Sequence, residues 1–514
     1  MPATRRIGII DIGSNSIRLV VYEINASHAY RVIGEFKQSA RLSQRIDADN
    51  TLSQDNIQFI VRILLHFQTI CRTYHVTEVR AAATAAIRNA ANSRQIIDMI
   101  QERSGMTVEL LSGEDEARIG FLGMIHALNV EHGLLVDIGG GSTEVSLFRN
   151  RKLERSVSFP FGAVNTTARF ASGNLFTHEQ INGIRHMVQQ AVVSEPWIME
   201  HPGLPMIGLG GTIRSLCKIN QKKRKYPLPL THNYAMSAED MNELMQWLPS
   251  LPADKRKKVD GLSKDRYDII VPGLTILHTL YEACGASHYI ISGAGLRDGL
   301  FYESYLSSQH SPYSLAERSA RNLLGLHSCV PPEHLEQVAD FATELFDALQ
   351  GLHGLDDSSR TCLRIAALLY RIGVSFQYYQ FSKHSFYMIA NSRLDGLSHR
   401  ETLLCAAIAA FKTKGRTQQI CLQYKEVLQE SDCDLIIKLG TLLQLAIALD
   451  SSETQVFTSL EAAVTPDNKL QLQVKQKHDP SVEYGEVAAL QKDFKKIWGL
   501  KLTLDGSDAF SSMS

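Results

Sequence analysis

Short apolar runs that end in small, polar turns recur through the first part of the chain. Ile7-Gly-Ile-Ile10 leads into Asp11-Ile-Gly-Ser-Asn-Ser16, and Leu134-Leu-Val136 leads into Asp137-Ile-Gly-Gly-Gly-Ser142, 126 residues further on. Each reads as a buried strand closing in a tight turn. The residues that follow, 17–24 and 144–148, are rich in β-branched side chains, so each unit is a strand, a Gly/Ser turn and a returning strand. Such a turn points backbone N–H groups and small hydroxyls outward, with a carboxylate at its base, a shape that grips phosphate. A single Asp-Ile-Gly turn is ordinary turn chemistry. Two copies in equivalent places imply two similar lobes, and the cleft between lobes is a favoured ligand site.

The rest of the pattern supports the duplication. A strand at 30–37, a helix at 54–74, a strand at 78–83, a helix at 93–103 and a strand at 107–111 complete the first lobe as an α/β layer structure. Ser112-Gly-Glu-Asp115 has the character of a helix start, with Ala117, Phe121, Ile125 and Leu128 at helical spacing behind it, so Glu116 falls in a first helical turn. From about residue 132 the order repeats, with paired strands through Phe159 and helices at 164–170 and 178–195. Residues 205–212 form a third glycine-rich turn that enters a helix at 213–220, where N-terminal amides hold an anion. A fourth candidate turn spans 289–298. Beyond Tyr302 the periodicity becomes helical through about residue 450, broken at Pro312, Pro331 and Pro332. Alternation at 456–464, 470–474 and 500–504 closes the chain in a small α/β appendage. The expected domains are therefore 1–128, 129–305, 306–452 and 453–514.

Composition changes this picture little. With 53 Lys+Arg against 54 Asp+Glu in 514 residues the net charge is −1, which gives no global attraction to a nucleic-acid duplex. Two local runs, Lys222-Lys223-Arg224-Lys225 and Lys255-Arg256-Lys257-Lys258, either attract phosphate or solvate a loop. The eight cysteines contain no Cys-x-x-Cys pair, and reduced, buried thiols are expected. No window approaches the roughly 18 apolar residues of a membrane span, and Arg5-Arg6 passes straight into a strand, so a cytoplasmic protein is expected.

The four segments Asp11 to Arg18, Ser112 to Arg118, Asp137 to Glu144 and Ser292 to Gly299 together closely resemble those of the exopolyphosphatase and guanosine pentaphosphate phosphohydrolase (Ppx/GppA) family, in order, over residues 5–305. The resemblance implies two lobes with the fold of actin, sugar kinases and heat-shock chaperones, then a helical domain resembling a degenerate His-Asp phosphohydrolase and a small C-terminal α/β domain. It also implies removal of a terminal phosphoryl group from polyphosphate, from guanosine pentaphosphate, or from both, and a homodimer. The family's catalytic glutamate maps onto Glu116.

The chemistry has its own logic. Hydrolysing a phosphoanhydride requires neutralising dense negative charge, holding a water in line and accepting its proton. Glu116 is the candidate base, with Glu114 and Asp115 as neighbouring acids that an exposed helix start explains equally well. The candidate phosphate donors are Ser14 and Asn15, then Gly139, Gly140, Gly141 and Ser142, then Gly210, Gly211 and Thr212. Arg18 and Arg88 are the candidate guanidinium forks, joined by Arg266 and Arg297. Asp137, Glu144 and Asp11 are the candidate magnesium ligands, because hard divalent cations take carboxylate oxygen and share their coordination with substrate phosphates. A monovalent ion requirement stays open.

The helical domain departs from its relatives. Tyr370-Arg371 stands where many carry a His-Asp pair, Ile447 where they carry an aspartate, and Phe411-Lys412 where another histidine is expected. A second metallohydrolase centre is therefore not expected. His384 remains as a structural or substrate-contacting residue, and with Lys222 to Lys225 it is a candidate for a polyphosphate channel. An actin-like kinase or ATPase and a non-catalytic phosphate sensor are the competing readings of the same fold.

Overall fold

Isoleucine- and valine-rich segments of the N-terminal part build two mixed sheets on one plan. In the first, β1 (Arg5–Ile12), β2 (Ser16–Ile24) and β3 (Tyr30–Ser39) form an antiparallel meander. Helix α1 (Gln54–Thr73) then leads to β4 (Glu78–Ala83), which pairs parallel to β1. The short α2 (Ala85–Arg88), α3 (Ser93–Ser104) and the parallel strand β5 (Val108–Leu110) complete the order β3-β2-β1-β4-β5. After helix α4 (Gly113–Ile125), the meander returns as β6 (Gly133–Ile138), β7 (Thr143–Arg149) and β8 (Lys152–Phe159). Helices α5 (Ala163–Phe170) and α6 (His178–Ser194) precede β9 (Met206–Leu209), which lies parallel to β6. Then come α7 (Gly210–Lys223), β10 (Tyr234–Met236), α8 (Ala238–Ser250), α9 (Ala253–Arg256), α10 (Ile270–Cys284), β11 (Tyr289–Ile291) and α11 (Leu296–Tyr305). The second sheet runs β10-β11-β9-β6-β7-β8. The duplication expected from the paired turns is thus an architectural one, two lobes with the same strand plan.

The computed structural model describes residues 4–47, 49–305, 312–327 and 330–505. The chain divides into two units, Met1–Ser311 and Pro312–Ser514.

Both faces of β1 are covered, which is why its sequence is a nearly unbroken apolar run. Ile10 and Ile12 pack with Ile60, Leu64 and Phe67 of α1, whereas Ile7 and Ile9 pack with Leu300 and Phe301 of α11. Helix α11 thus falls within the 129–305 stretch yet packs on the first sheet. Helix α4 does the converse, placing Phe121, Met124 and Ile125 against Leu135, Phe148, Ile207 and Leu209 of the second sheet. The two helices meet at glycines. A Cβ on Gly123 would lie 2.2 Å from the Gly295 carbonyl oxygen, and one on Gly299 would lie 1.9 Å from that of Ile119. Only hydrogen at both positions allows the backbones this close.

The second unit is helical from Leu315 to Ala448 and ends in a three-stranded sheet, Phe457–Thr465, Lys469–Gln476 and Lys501–Leu504, with helix Ser481–Trp498. Buried His334 lies between Asp450, at 2.7 Å from Nδ1, and the Tyr370 hydroxyl, at 2.6 Å from Nε2. The Tyr370 hydroxyl is thus a hydrogen-bond partner of His334. His384 sits half-buried on helix Phe381–Asn391 with its ring 4.6 Å from that of Phe376.

One expectation fails here. Helices Lys414–Gln423 and Asp432–Ala448 bring the Cα atoms of Cys421 and Cys433 to 6.1 Å, and the two sulfurs are bonded. Helix packing, invisible in cysteine spacing, makes that pair, while Cys71, Cys217, Cys284, Cys362 and Cys405 are free and buried. Cys329 lies outside the described residues. Among the described residues no helix is long and apolar enough to cross a membrane.

Candidate active site

The two signature turns are built alike. Gly13 N–H donates to Ser16 O at 3.2 Å and Gly139 N–H to Ser142 O at 3.0 Å. Register makes the copies equivalent beyond the turns: Asp11 lies opposite Arg18 on β2, and Asp137 lies opposite Glu144 on β7. One copy therefore carries a cation where the other carries an anion.

The turns face each other across the floor of a cleft. A Cβ on Gly140 would approach Ser14 Cβ to 2.9 Å, and one on Gly141 would come within 2.9 Å of Ser14 Oγ. The run of glycines in the second copy is thus a clearance requirement. The Asn15 side chain is 9% exposed and lines the cleft, and neither its Oδ1 nor its Nδ2 has a partner. A buried amide without partners is costly, and an oxyanion in the cleft would satisfy its Nδ2.

The cleft encloses about 130 Å³. Helix α7 starts directly at it. Gly210, at φ +81°, sits against the Asp137 carboxylate, since a Cβ there would lie 2.5 Å from Oδ1. Four guanidinium groups line the walls, from Arg18, Arg214, Arg266 and Arg297. Burial, with repulsion from the other guanidiniums, pulls Arg214 and Arg266 down to about 10. Guanidiniums converging on one cleft supply the positive charge and the N–H donors that an oxyanion needs.

On the opposite wall, Ser112 caps α4 by accepting from the Asp115 N–H, and Glu116 follows in the first turn. The terminal residue of α2, Arg88, donates to Glu116 Oε2 at 2.7 Å and to the Leu111 carbonyl at 3.1 Å. Burial raises Glu116 to about 7, against the pull of Arg88 and with help from the charges of Asp137 and Asp11. A carboxyl poised near neutrality beside a polar cleft is suited to accept a proton.

The acidic floor answers the metal question in part. Burial lifts Asp137 to about 6 against the attraction of Arg214, and it raises Asp11 against Arg297 and Arg18. Both carboxylates line the cleft. Glu144 does not: it is buried, accepts from Ser158 Oγ at 2.8 Å, and is driven well above the usual range by burial and by Glu116 and Asp137. Among the described residues no three acidic, histidine or cysteine groups form a complete metal cage. Two mutually repelling carboxylates beside a phosphate site do fit magnesium, which takes one or two carboxylates and completes its coordination with water and substrate oxygens.

Of the residues expected from sequence, Ser14, Asn15, Gly139, Gly140, Ser142, Gly210 and Gly211 also line the cleft. Gly141, Thr212 and Arg88 do not; Thr212 is buried against Gly273, whose Cβ would meet it at 2.7 Å. Lys222 and Lys223 occupy the last turn of α7, about 20 Å from its cleft end at 1.5 Å per residue. Lys223 pairs with Glu243, and Arg224 with Asp240 at 2.6 Å, so half of that run serves helix packing. In the second run, buried Arg256 donates to the carbonyls of Tyr267 and Leu251. Sequence reasoning missed Arg214, whose Nε donates to the Gly210 carbonyl at 2.9 Å. Its i+4 spacing from Gly210 is the signal that places both on one helix face.

Arg88 therefore holds Glu116 instead of lining the cleft. Arg88→Ala is expected to lower turnover about tenfold or more and to move the acid limb of the pH–rate profile upward, because an attraction that favours ionised Glu116 is lost. Steady-state rates across pH check both effects.

The sequence model of the Ppx/GppA phosphatase family matches residues 20–308, and that of the family's domain III matches residues 316–485. This chain belongs to the Ppx/GppA phosphatase family. Among solved structures, the Aquifex aeolicus member of the Ppx/GppA family is 26% identical, with a TM-score of 0.53 over 60% of this chain and 100% of that one. An exopolyphosphatase from Cytophaga hutchinsonii shares the fold at 22% identity, with a TM-score of 0.55 over 59% of this chain and 99% of its own. The second Asp-Ile-Gly turn and Glu116 lie within the residues matched by the family model.

Proposed function

We propose that this family member is an exopolyphosphatase that releases orthophosphate from the end of inorganic polyphosphate by water attack in the interlobe cleft. The observation that carries the reading is Glu116, held by Arg88 at 2.7 Å beside a small cleft walled by four guanidiniums. The terminal phosphoryl group enters among Arg18, Arg214, Arg266 and Arg297, and the buried Asn15 amide donates to one of its oxygens. Glu116 orients a water and takes its proton as the new P–O bond forms. The bridging P–O bond breaks, and its oxygen leaves with the shortened chain. Asp137 and Asp11 would hold magnesium, which supplies charge neutralisation to the phosphates.

Guanosine pentaphosphate offers the same terminal phosphoanhydride and is the second substrate to test. The cleft, about 130 Å³, takes the terminal phosphoryl group that both substrates share, and the rest of either substrate lies outside it.

The base must be ionised to work, and burial raises its pKa. Activity is therefore expected to rise with pH through about 7, with protonated, inactive enzyme on the acid side. A kcat/KM profile that is flat from about pH 5 to about pH 9 would remove Glu116 from this role. Chelation of divalent cations is expected to abolish turnover, and magnesium to restore it.

A further inference from the structure

Two cations of the first lobe, Lys37 on β3 and Arg41 in the turn after it, reach the second lobe's loop at 265–268, and Glu35 lies beside them on β3. Lys37 pairs with Asp265. Arg41 grips Asp268 with both ends of its fork, Nη1 to Oδ2 at 2.7 Å and Nη2 to Oδ1 at 3.2 Å, and Nη2 also donates to the Asp265 carbonyl at 3.4 Å. Glu35 accepts from Arg297 at 2.8 Å and from Arg18 at 3.0 Å. Arg41 is the unusual member. Its backbone is left-handed, φ +46° and ψ +45°, a region in which a non-glycine residue is strained. The strain is held by the phosphate turn itself, because the Arg41 N–H donates to the Asn15 carbonyl at 2.9 Å.

On the far side, Asp265 and Asp268 flank Arg266. That guanidinium lies directly over Gly211, where a Cβ would come within 1.9 Å of Nη2, and it makes no ion pair among the described residues. The loop carrying Arg266 is thus fastened to the first lobe on both sides of it, while its own charge is left for the cleft.

We infer that Arg41 is a positioning residue: its fork on Asp268 ties the phosphate turn of the first lobe to the loop of the second and thereby sets Arg266 over the Gly210–Gly211 turn. Closure of the two lobes and delivery of the phosphate-binding guanidinium are then one event. A bidentate guanidinium–carboxylate pair is directional enough for this, which a single lysine contact is not. The catalytic half of the inference rests on the phosphohydrolase reading above, and the geometric half does not.

The test is a cycle of Arg41→Ala, Asp268→Asn and the double variant, with Arg41→Lys as a conservative member. Each is read two ways: by kcat/KM for phosphate release from polyphosphate, and by the distance between spin labels at Gln101→Cys on α3 and Gln190→Cys on α6, both exposed. Each single change is expected to lower kcat/KM by about ten- to a hundredfold and to lengthen and broaden the label distance. The double variant is expected to be no worse than the singles, because the two side chains act through one contact, and Arg41→Lys is expected to recover part of both readouts. Additive losses in the double variant, or single variants with wild-type distance and kcat/KM, overturn the inference. If the wild type releases no phosphate from any substrate, the hydrolase reading fails, and the label distances still decide whether Arg41 holds the lobes.

Discussion

Glu116→Gln is expected to slow phosphate release by about 10²- to 10⁴-fold with little change in KM, the range associated with loss of a positioned general base. Glutamine keeps the shape and can still accept from Arg88, but it cannot take a proton from water. The neighbouring acids provide the control. Glu114 is exposed, and Asp115 is half-exposed and engaged with the Ser112 hydroxyl at 2.7 Å, so Glu114→Gln is expected to leave turnover within about twofold. Three acidic residues stand in one helical turn, and only one has an arginine from another element clamped on it. Burst and steady-state phosphate assays on the two variants separate them. Equal losses in both would assign the effect to the charge of the helix start.

Gly299→Ala is the second large effect, and it acts from outside the cleft. The added methyl would overlap the Ile119 carbonyl at 1.9 Å, and backbone cannot swing aside as a flexible side chain does. Helices α4 and α11 must move apart, at a cost of about 3 kcal/mol by the usual scale of overpacking. Those helices carry Glu116 and Arg297, so the same displacement misplaces the proposed base against a guanidinium of the cleft. About 1 Å of misplacement is worth about a hundredfold in rate. Denaturant unfolding and turnover should therefore fall together. Gly351→Ala, in helix Gln350–His353 with nothing within 4 Å of the new methyl, is the matched control and should be neutral or stabilising by about 0.5–1 kcal/mol.

What could be read from the sequence follows the range of the interactions. The doubled turns, their flanking strands and the first-turn place of Glu116 are local, and they stand in the fold where the hydrophobic pattern put them. Arg88 was legible as a cation but not as the partner of Glu116, because α2 is a four-residue helix with no periodic signal and the pair joins two elements across 28 residues of chain. Glu144 shows the limit of local pattern: it stands opposite Asp137 in the register, yet its carboxylate is buried on the Ser158 hydroxyl of β8 and does not line the cleft. The basic run at 222–225 looked adjacent to the Gly-Gly-Thr turn in sequence, and the length of α7 carries it to the opposite end. Arg41 and Asp268 lie 227 residues apart, and no spacing rule joins them.

Incubating the purified chain with long-chain polyphosphate, guanosine pentaphosphate and ATP in separate reactions, with and without magnesium, and measuring released orthophosphate tests the exopolyphosphatase proposal. Magnesium-dependent release from polyphosphate, little from ATP, and loss of release in Glu116→Gln are the expected results. Absence of phosphate from both polyphosphate and guanosine pentaphosphate, or undiminished release by the glutamine variant, would contradict it.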